Sequence, residues 1–245
     1  MAKVPSFTTI RARAEKRKGG PAALARLMPA KPKSKAALAR LGDDRVLADM
    51  AKRVFSAGFV WKVIEQKWDG FEAAFLKFDP KRLVFQPDEF WEKLASDKRI
   101  VRNGQKIVSV RDNARFVRAI AEEHGSFGTM LASWPAADYV GLLDLLAKRG
   151  SRLGGYTGQY FLRFLGYDAF ICTGDVIQCL RDAGVELSAT GTSKRDMKKI
   201  QERFNAWADE TGLPFSHLSR LCAMSVGENY LAADILESVT NGEPA

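Results

Sequence analysis

Cysteine and histidine are scarce in this chain of 245 residues. The three cysteines, Cys172, Cys179 and Cys222, are an odd number and show no CxxC spacing, and only His124 and His217 could join them as ligands. A structural zinc site needs four such groups at short, regular intervals, so no metal and no other cofactor is expected. A disulfide framework is not expected in a reducing cytosol. No apolar run approaches the roughly 18 residues of a membrane span. Pro5, Pro21, Pro29 and Pro32 interrupt a basic N-terminal stretch, which therefore lacks the apolar core of a signal peptide. A cytoplasmic protein is expected.

Acidic residues are nearly missing from the first 40 positions, where Glu15 stands alone against eleven Lys or Arg. That segment carries +10, whereas the whole chain carries +9. The charge divides the chain into a basic arm over 1–40 and a helical domain over 41–245. Such an arm suits an anionic partner, nucleic acid being the commonest. It is equally consistent with a solvated tail.

What the chain does have is helical periodicity. Val46, Leu47, Met50, Val54 and Phe55 recur at helical spacing after Asp43-Asp44, and the pattern continues through Trp61 and Ile64. This predicts a helix over 43–66. Further helices are expected over 71–78, closed by Asp79-Pro80, then from Pro87, over 106–123, up to Trp134, and over 138–148. Later ones are expected over 159–165, 176–183, from Ser193 past Trp207, over 214–226 and over 228–239. Ser193 with Asp196, and Asp175 with Gln178, read as capping boxes. No repeat and no sheet is visible, so the fold class is all-α.

Between the helices at 138–148 and 159–165 lies Gly150-Ser151-Arg152-Leu153-Gly154-Gly155-Tyr156-Thr157-Gly158. Closely spaced glycines let a backbone turn sharply and approach a partner. At a helix N-terminus the N–H groups carry partial positive charge and suit a phosphate. Leu153 would anchor the turn, with Gly154, Gly155, Thr157 and Gly158 offered to DNA phosphates. An ordinary glycine-rich turn is the alternative.

These residues, with Asp175 opening a helix downstream, resemble the helix–hairpin–helix DNA glycosylase superfamily. The upstream match is more specific. Ala57-Gly58-Phe59-Val60-Trp61, Phe78-Asp79-Pro80, Ile100-Val101-Arg102, Lys106-Ile107, Asn113-Ala114-Arg115 and Lys148-Arg149-Gly150 resemble, in order and spacing, the 3-methyladenine DNA glycosylase I family. The resemblance spans roughly 43–183. It implies a helix–hairpin–helix glycosylase fold with the hairpin at about 140–166, double-stranded DNA as partner, a monomer, and a nucleoid-associated cytoplasmic location.

Two departures matter. The family's zinc ligands are replaced: Val176 follows Asp175, Leu180 stands where a cysteine belongs, and Cys179 is one position out. Another device must hold the chain ends, and the basic arm and the helices past Thr192 are the available ones. The base pocket differs as well. Where the family has a glutamate that contacts the extruded base, this chain has Lys52, Arg53, Val54 and Phe55, with no carboxylate between Asp49 and Glu65. The resemblance places Trp61, Arg53 and Phe55 at the base pocket, although Trp61 could be core and Arg53 could face solvent. A guanidinium there would repel a cationic methylated base.

Breaking an N-glycosidic bond builds positive charge on the sugar, which a fixed carboxylate stabilises. The resemblance gives that role to Asp175, and a helix cap is its structural alternative. Bifunctional relatives add a lysine nucleophile, but no lysine occurs between Arg152 and Lys194, and arginine stays protonated. The expected enzyme is therefore a monofunctional N-glycosylase removing an alkylated or otherwise damaged, 3-methyladenine-like base in base excision repair. A catalytically inactive DNA-binding relative is the alternative.

Overall fold

Capping residues and prolines punctuate a chain whose computed structural model describes residues 6–230; every regular element among them is a helix. The order is α1 (Phe7–Lys18), α2 (Pro21–Arg26), α3 (Lys35–Ala39), α4 (Asp43–Ser56) and α5 (Trp61–Gln66). Then come α6 (Trp68–Ala74), α7 (Pro80–Leu83), α8 (Asp88–Leu94), α9 (Gly104–His124) and α10 (Phe127–Ser133). The remainder are α11 (Tyr139–Arg149), α12 (Gly155–Leu165), α13 (Gly174–Asp182), α14 (Lys194–Thr211) and α15 (Phe215–Ser225). The all-α expectation holds, and α11, its following turn and α12 form the helix–hairpin–helix. None of the described helices is long and apolar enough to cross a membrane.

The chain divides into two compact units, one of residues 33–135 with 141–167, the other of the remaining residues. In the first, α4 is the central helix. Val46, Leu47, Met50, Val54 and Phe55 are buried on it, and it packs on α9 and α12. The single helix expected over 43–66 is in fact two. The amine of Lys106 on α9 donates to Phe55 O at 3.1 Å and Ala57 O at 2.6 Å. A cation on these terminal carbonyls closes α4, and the chain restarts at Trp61. Helix α6 also stops short of Phe78. Leu76, Lys77 and Phe78 take positive φ in a single 3₁₀ turn, with the Lys77 carbonyl accepting from Arg45 at 2.8 Å. Asp79 then caps α7 through Lys81 N at 2.9 Å.

The second unit holds α1, α2 and α13 to α15, and it redraws the boundary placed at residue 40. Phe7, Ile10 and Ala14 form a buried stripe on α1, at the spacing of one helix face, and α1 packs on α15. Phe7 lies 5.2 Å from Trp207, and Phe204 stacks on Phe170 at 4.4 Å. Part of the basic charge is structural. Arg17 donates to Met224 O, Val226 O and Gly227 O at the end of α15. Lys18 donates to Asn229 Oδ1 and Tyr230 O. Residues 6–32 are thus a folded part of this unit, held against its C-terminal helices by packing and by these hydrogen bonds.

Helix α14 starts on the expected Ser193–Asp196 capping box. At α13 the expected cap is corrected. Thr173, in extended backbone, accepts from Val176 N at 3.3 Å, while Gln178 donates to Asp182. Asp175 lies one position inside the helix, where its own side chain is not the cap. Of the helix expected over 228–239, residues 228–230 are non-helical and the rest lies outside the described residues.

Candidate active site

The hairpin is held from within its own unit. Leu153 is 1% exposed and anchors the turn. Asn113 on α9 grips the backbone at both ends of one peptide pair, donating to Ser151 O at 3.0 Å and accepting from Ser151 N at 2.7 Å. Gly158 is required by contact: a Cβ there would stand 2.4 Å from Leu153 O. Gly155 is required by conformation, with φ of +57° and open space around it. Gly154 and Gly155 are exposed and Thr157 is half-buried, so the first turn of α12 faces outward with its positive dipole end. Arg149 pairs with Glu123 at 2.6 and 2.8 Å, and Arg152 hydrogen-bonds Gln105.

The same helix carries an aromatic cluster. Tyr160 and Phe164, one turn apart on α12, meet Trp61 at ring-centroid distances of 5.7 and 5.5 Å. Arg53 comes from α4 into this cluster. Its guanidinium lies 4.8 Å from the Trp61 ring and 4.2 Å from that of Phe164, and its side chain is 5% exposed. Asp49, one turn earlier on α4, stands 3.8 Å away. Burial raises the Asp49 carboxyl above its ordinary range and lowers Arg53 below its own; each charge opposes the shift of the other. Lys52 leaves the cluster for Glu65 at 2.7 Å.

Residues 39–140 match the methyladenine glycosylase family. The match takes in Asp49, Arg53, Trp61, Lys106 and Asn113, and it ends before the hairpin glycines and Asp175. Among solved structures, the chain is similar to 3-methyladenine DNA glycosylase I from Staphylococcus aureus, with 21% identity, 67% of this chain and 95% of that one covered, and a TM-score of 0.48. It is also similar to a mutant of that enzyme from Staphylococcus aureus, with 23% identity, 54% and 81% covered, and a TM-score of 0.45. A third is the Methanocaldococcus jannaschii 8-oxoguanine glycosylase/lyase bound to DNA, with 15% identity, 88% of each chain covered, and a TM-score of 0.43.

Against the residues singled out in sequence, Arg53 and Trp61 come together and Phe55 does not join them. Phe55 is fully buried, edge-on to Phe71 at 4.7 Å. It points to the opposite side of α4, two residues and about 200° around from Arg53, and is a core residue. Gly154, Gly155, Thr157 and Gly158 share one turn. Asp175 belongs to the other unit. It is exposed, and a Cβ on Gly227 would stand 2.2 Å from its Oδ1, so only glycine lets the backbone come so near this carboxylate. Asp49, Tyr160 and Phe164 were not singled out in sequence. The spacing of four between Asp49 and Arg53, and of four between Tyr160 and Phe164, is the signal that would have found them.

Proposed function

We propose that this protein is a monofunctional DNA glycosylase that hydrolyses the N-glycosidic bond of an alkylated or otherwise damaged base in double-stranded DNA, as a step of base excision repair. The observation that carries this reading is the double use of α12. Its N-terminal turn, with Gly154 and Gly155 exposed, Thr157 half-buried and Gly158 packed beneath on Leu153, is suited to a phosphate, and the helix also contributes Tyr160 and Phe164 to the cluster of Trp61 and Arg53. Roughly 13 Å of helix axis separates Gly155 from Phe164, so one rigid rod couples the grip on the backbone to the stacking of an extruded base. The family match over 39–140 supports the same reading.

Asp175 is the proposed catalytic carboxylate, stabilising the oxocarbenium-like sugar and orienting water. The second hairpin helix offers Gln159 and Arg163 and no lysine, which supports hydrolysis without a Schiff base. The protein is expected to act as a monomer, nucleoid-associated in the cytoplasm. One observation favours a second reading, a catalytically inactive DNA-binding relative: Arg53 already fills the aromatic cluster. Incubation with duplexes bearing single lesions, followed by heat or alkali, separates the two. Strand breaks at a lesion support the enzyme, and intact strands across alkylated, oxidised and deaminated bases overturn it.

A further inference from the structure

The charge of Arg53 and its hydrogen-bond donors fare differently in the cluster. The charge is well accommodated, by the faces of Trp61 and Phe164 and by Asp49. The donors are not. Nε is buried with no hydrogen-bond partner, and the contact to Asp49, at 3.8 Å, is beyond hydrogen-bonding reach. Ring faces engage a positive charge but offer no lone pair in return. A buried guanidinium donor left unpaired is costly and uncommon. Beside it Phe164, whose ring the guanidinium covers, is 46% exposed and offers an apolar face to solvent. A flat, acceptor-bearing group stacked there would meet both needs at once.

Resting on the glycosylase reading of this site, we propose that Arg53 reads the extruded base by donating to its carbonyl oxygen. The substrate class is then a neutral, oxo-bearing damaged base, and cationic methylated adenine is excluded. Three points carry this. The place where a cationic base would stack is taken by a protein cation, and like charges in a desolvated site repel strongly. Asp49, the carboxylate 3.8 Å from the guanidinium, is already matched by Arg53, and Glu65 is taken by Lys52. A guanidinium also suits the carbonyl oxygens of such a base, and can fork across an adjacent oxygen and ring nitrogen where both accept, as in hypoxanthine.

The test uses the full chain in single-turnover excision on duplexes containing one 8-oxoguanine, hypoxanthine or uracil, beside methylated duplex that releases 3-methyladenine. Excision of at least one oxo-bearing base should exceed that of 3-methyladenine by tenfold or more. The charge-balanced double variant Arg53→Met with Asp49→Asn should lose at least 100-fold on that base, and its preference for that base over 3-methyladenine should disappear. Thermal melting checks that the variant is folded; if it is not, the wild-type ranking decides alone. Release of 3-methyladenine as fast as, or faster than, every oxo base overturns the inference while leaving the glycosylase reading intact. If no lesion is excised, the glycosylase reading falls, and binding to the same duplexes decides. A tenfold preference for an oxo lesion over undamaged duplex, lost in the double variant, supports the role of Arg53; equal binding overturns it.

Discussion

At the scale of single residues, Asp175 separates chemistry from structure more cleanly than its sequence suggested. Thr173 does the capping of α13, so Asp175→Asn removes a charge without removing a cap, and the melting temperature should stay within about 1–2 °C of wild type. Excision should fall by about 10² to 10³ if the carboxylate faces the developing positive charge. Binding to an abasic-site duplex should be retained. Single-turnover rates equal to wild type would remove Asp175 from the mechanism. Trp61 makes a companion case. It is half-buried with one face given to Arg53 and its edges to Tyr160 and Phe164. Trp61→Ala should therefore cost both stability, about 2–4 kcal/mol for a partly buried ring, and excision. Trp61→Phe should restore most of the stability and only part of the rate, read as separate Tm and rate measurements. A rate that recovers fully with Phe would make the ring's bulk its whole contribution.

At the scale of elements, the hairpin and the start of α14 are each held by side-chain hydrogen bonds to backbone. Asn113→Ala would leave both polar groups of Ser151 without their partner. A buried pair of this kind is worth about 1–3 kcal/mol; we expect duplex affinity to weaken about tenfold, with a drop of several degrees in Tm. Unchanged affinity would mean that the hairpin keeps its shape without Asn113. Asp196 gives a pH prediction. It accepts from Ser188 Oγ at 2.5 Å and Ser188 N at 3.0 Å, and from Ser193 Oγ at 2.6 Å and Ser193 N at 3.1 Å. These bonds, those of Ser188 first, hold its carboxyl far below the usual carboxylate range. An unfolded aspartate takes its proton near pH ~3.9. Below that point the unfolded chain binds a proton that the folded one does not, so acid drains stability; above about pH 5 the contribution is complete. Asp196→Asn should lower Tm at pH 7, and the gap from wild type should close as the pH falls toward 2. A gap independent of pH would mean that the charge does nothing. Elements of this kind were legible in the sequence where a local signal sufficed. The Ser193–Asp196 box and the glycine hairpin needed only neighbours a few residues away, whereas α6 ends at Ala74, before the Asp79-Pro80 pair expected to stop it. The break after Ser56 depends on Lys106, about 50 residues on, and the two sides of α4 look alike in periodicity. The resemblance puts Phe55 at the pocket and packing puts it in the core, whereas the place of Arg53 beside Trp61 depends on α12 folding back onto α4.

At the scale of the whole chain, the basic N-terminal segment has two jobs that composition alone merges. Its charge is read easily from the sequence, but the stripe of Phe7, Ile10 and Ala14 is thin and sits among five Lys or Arg within α1, so the helix is masked by its own polar face. Once α1 is seen to pack on α15, deletion of the segment ceases to be a test of DNA binding. Removing residues 1–32 should unfold the unit it shares with 168–230, and Phe7→Ala alone should cost about 3–5 kcal/mol in urea denaturation. A truncated chain that melts like wild type would return the segment to the status of a tail. The electrostatic role needs charges that structure does not use. Arg26, Lys31, Lys35 and Arg40 are exposed and are the ones to neutralise, whereas Arg17 and Lys18 hold the end of α15 and the residues after it. If each of the four lies on a phosphate, the quadruple Gln variant should flatten the slope of log K against log salt by roughly 3 to 4. Its melting temperature should match wild type, which separates lost contacts from lost folding. Excision at saturating protein should be unchanged, because those charges hold DNA and touch no base. A slope that stays as steep as in wild type would confine the segment to its structural work, and the DNA grip would then rest on the hairpin.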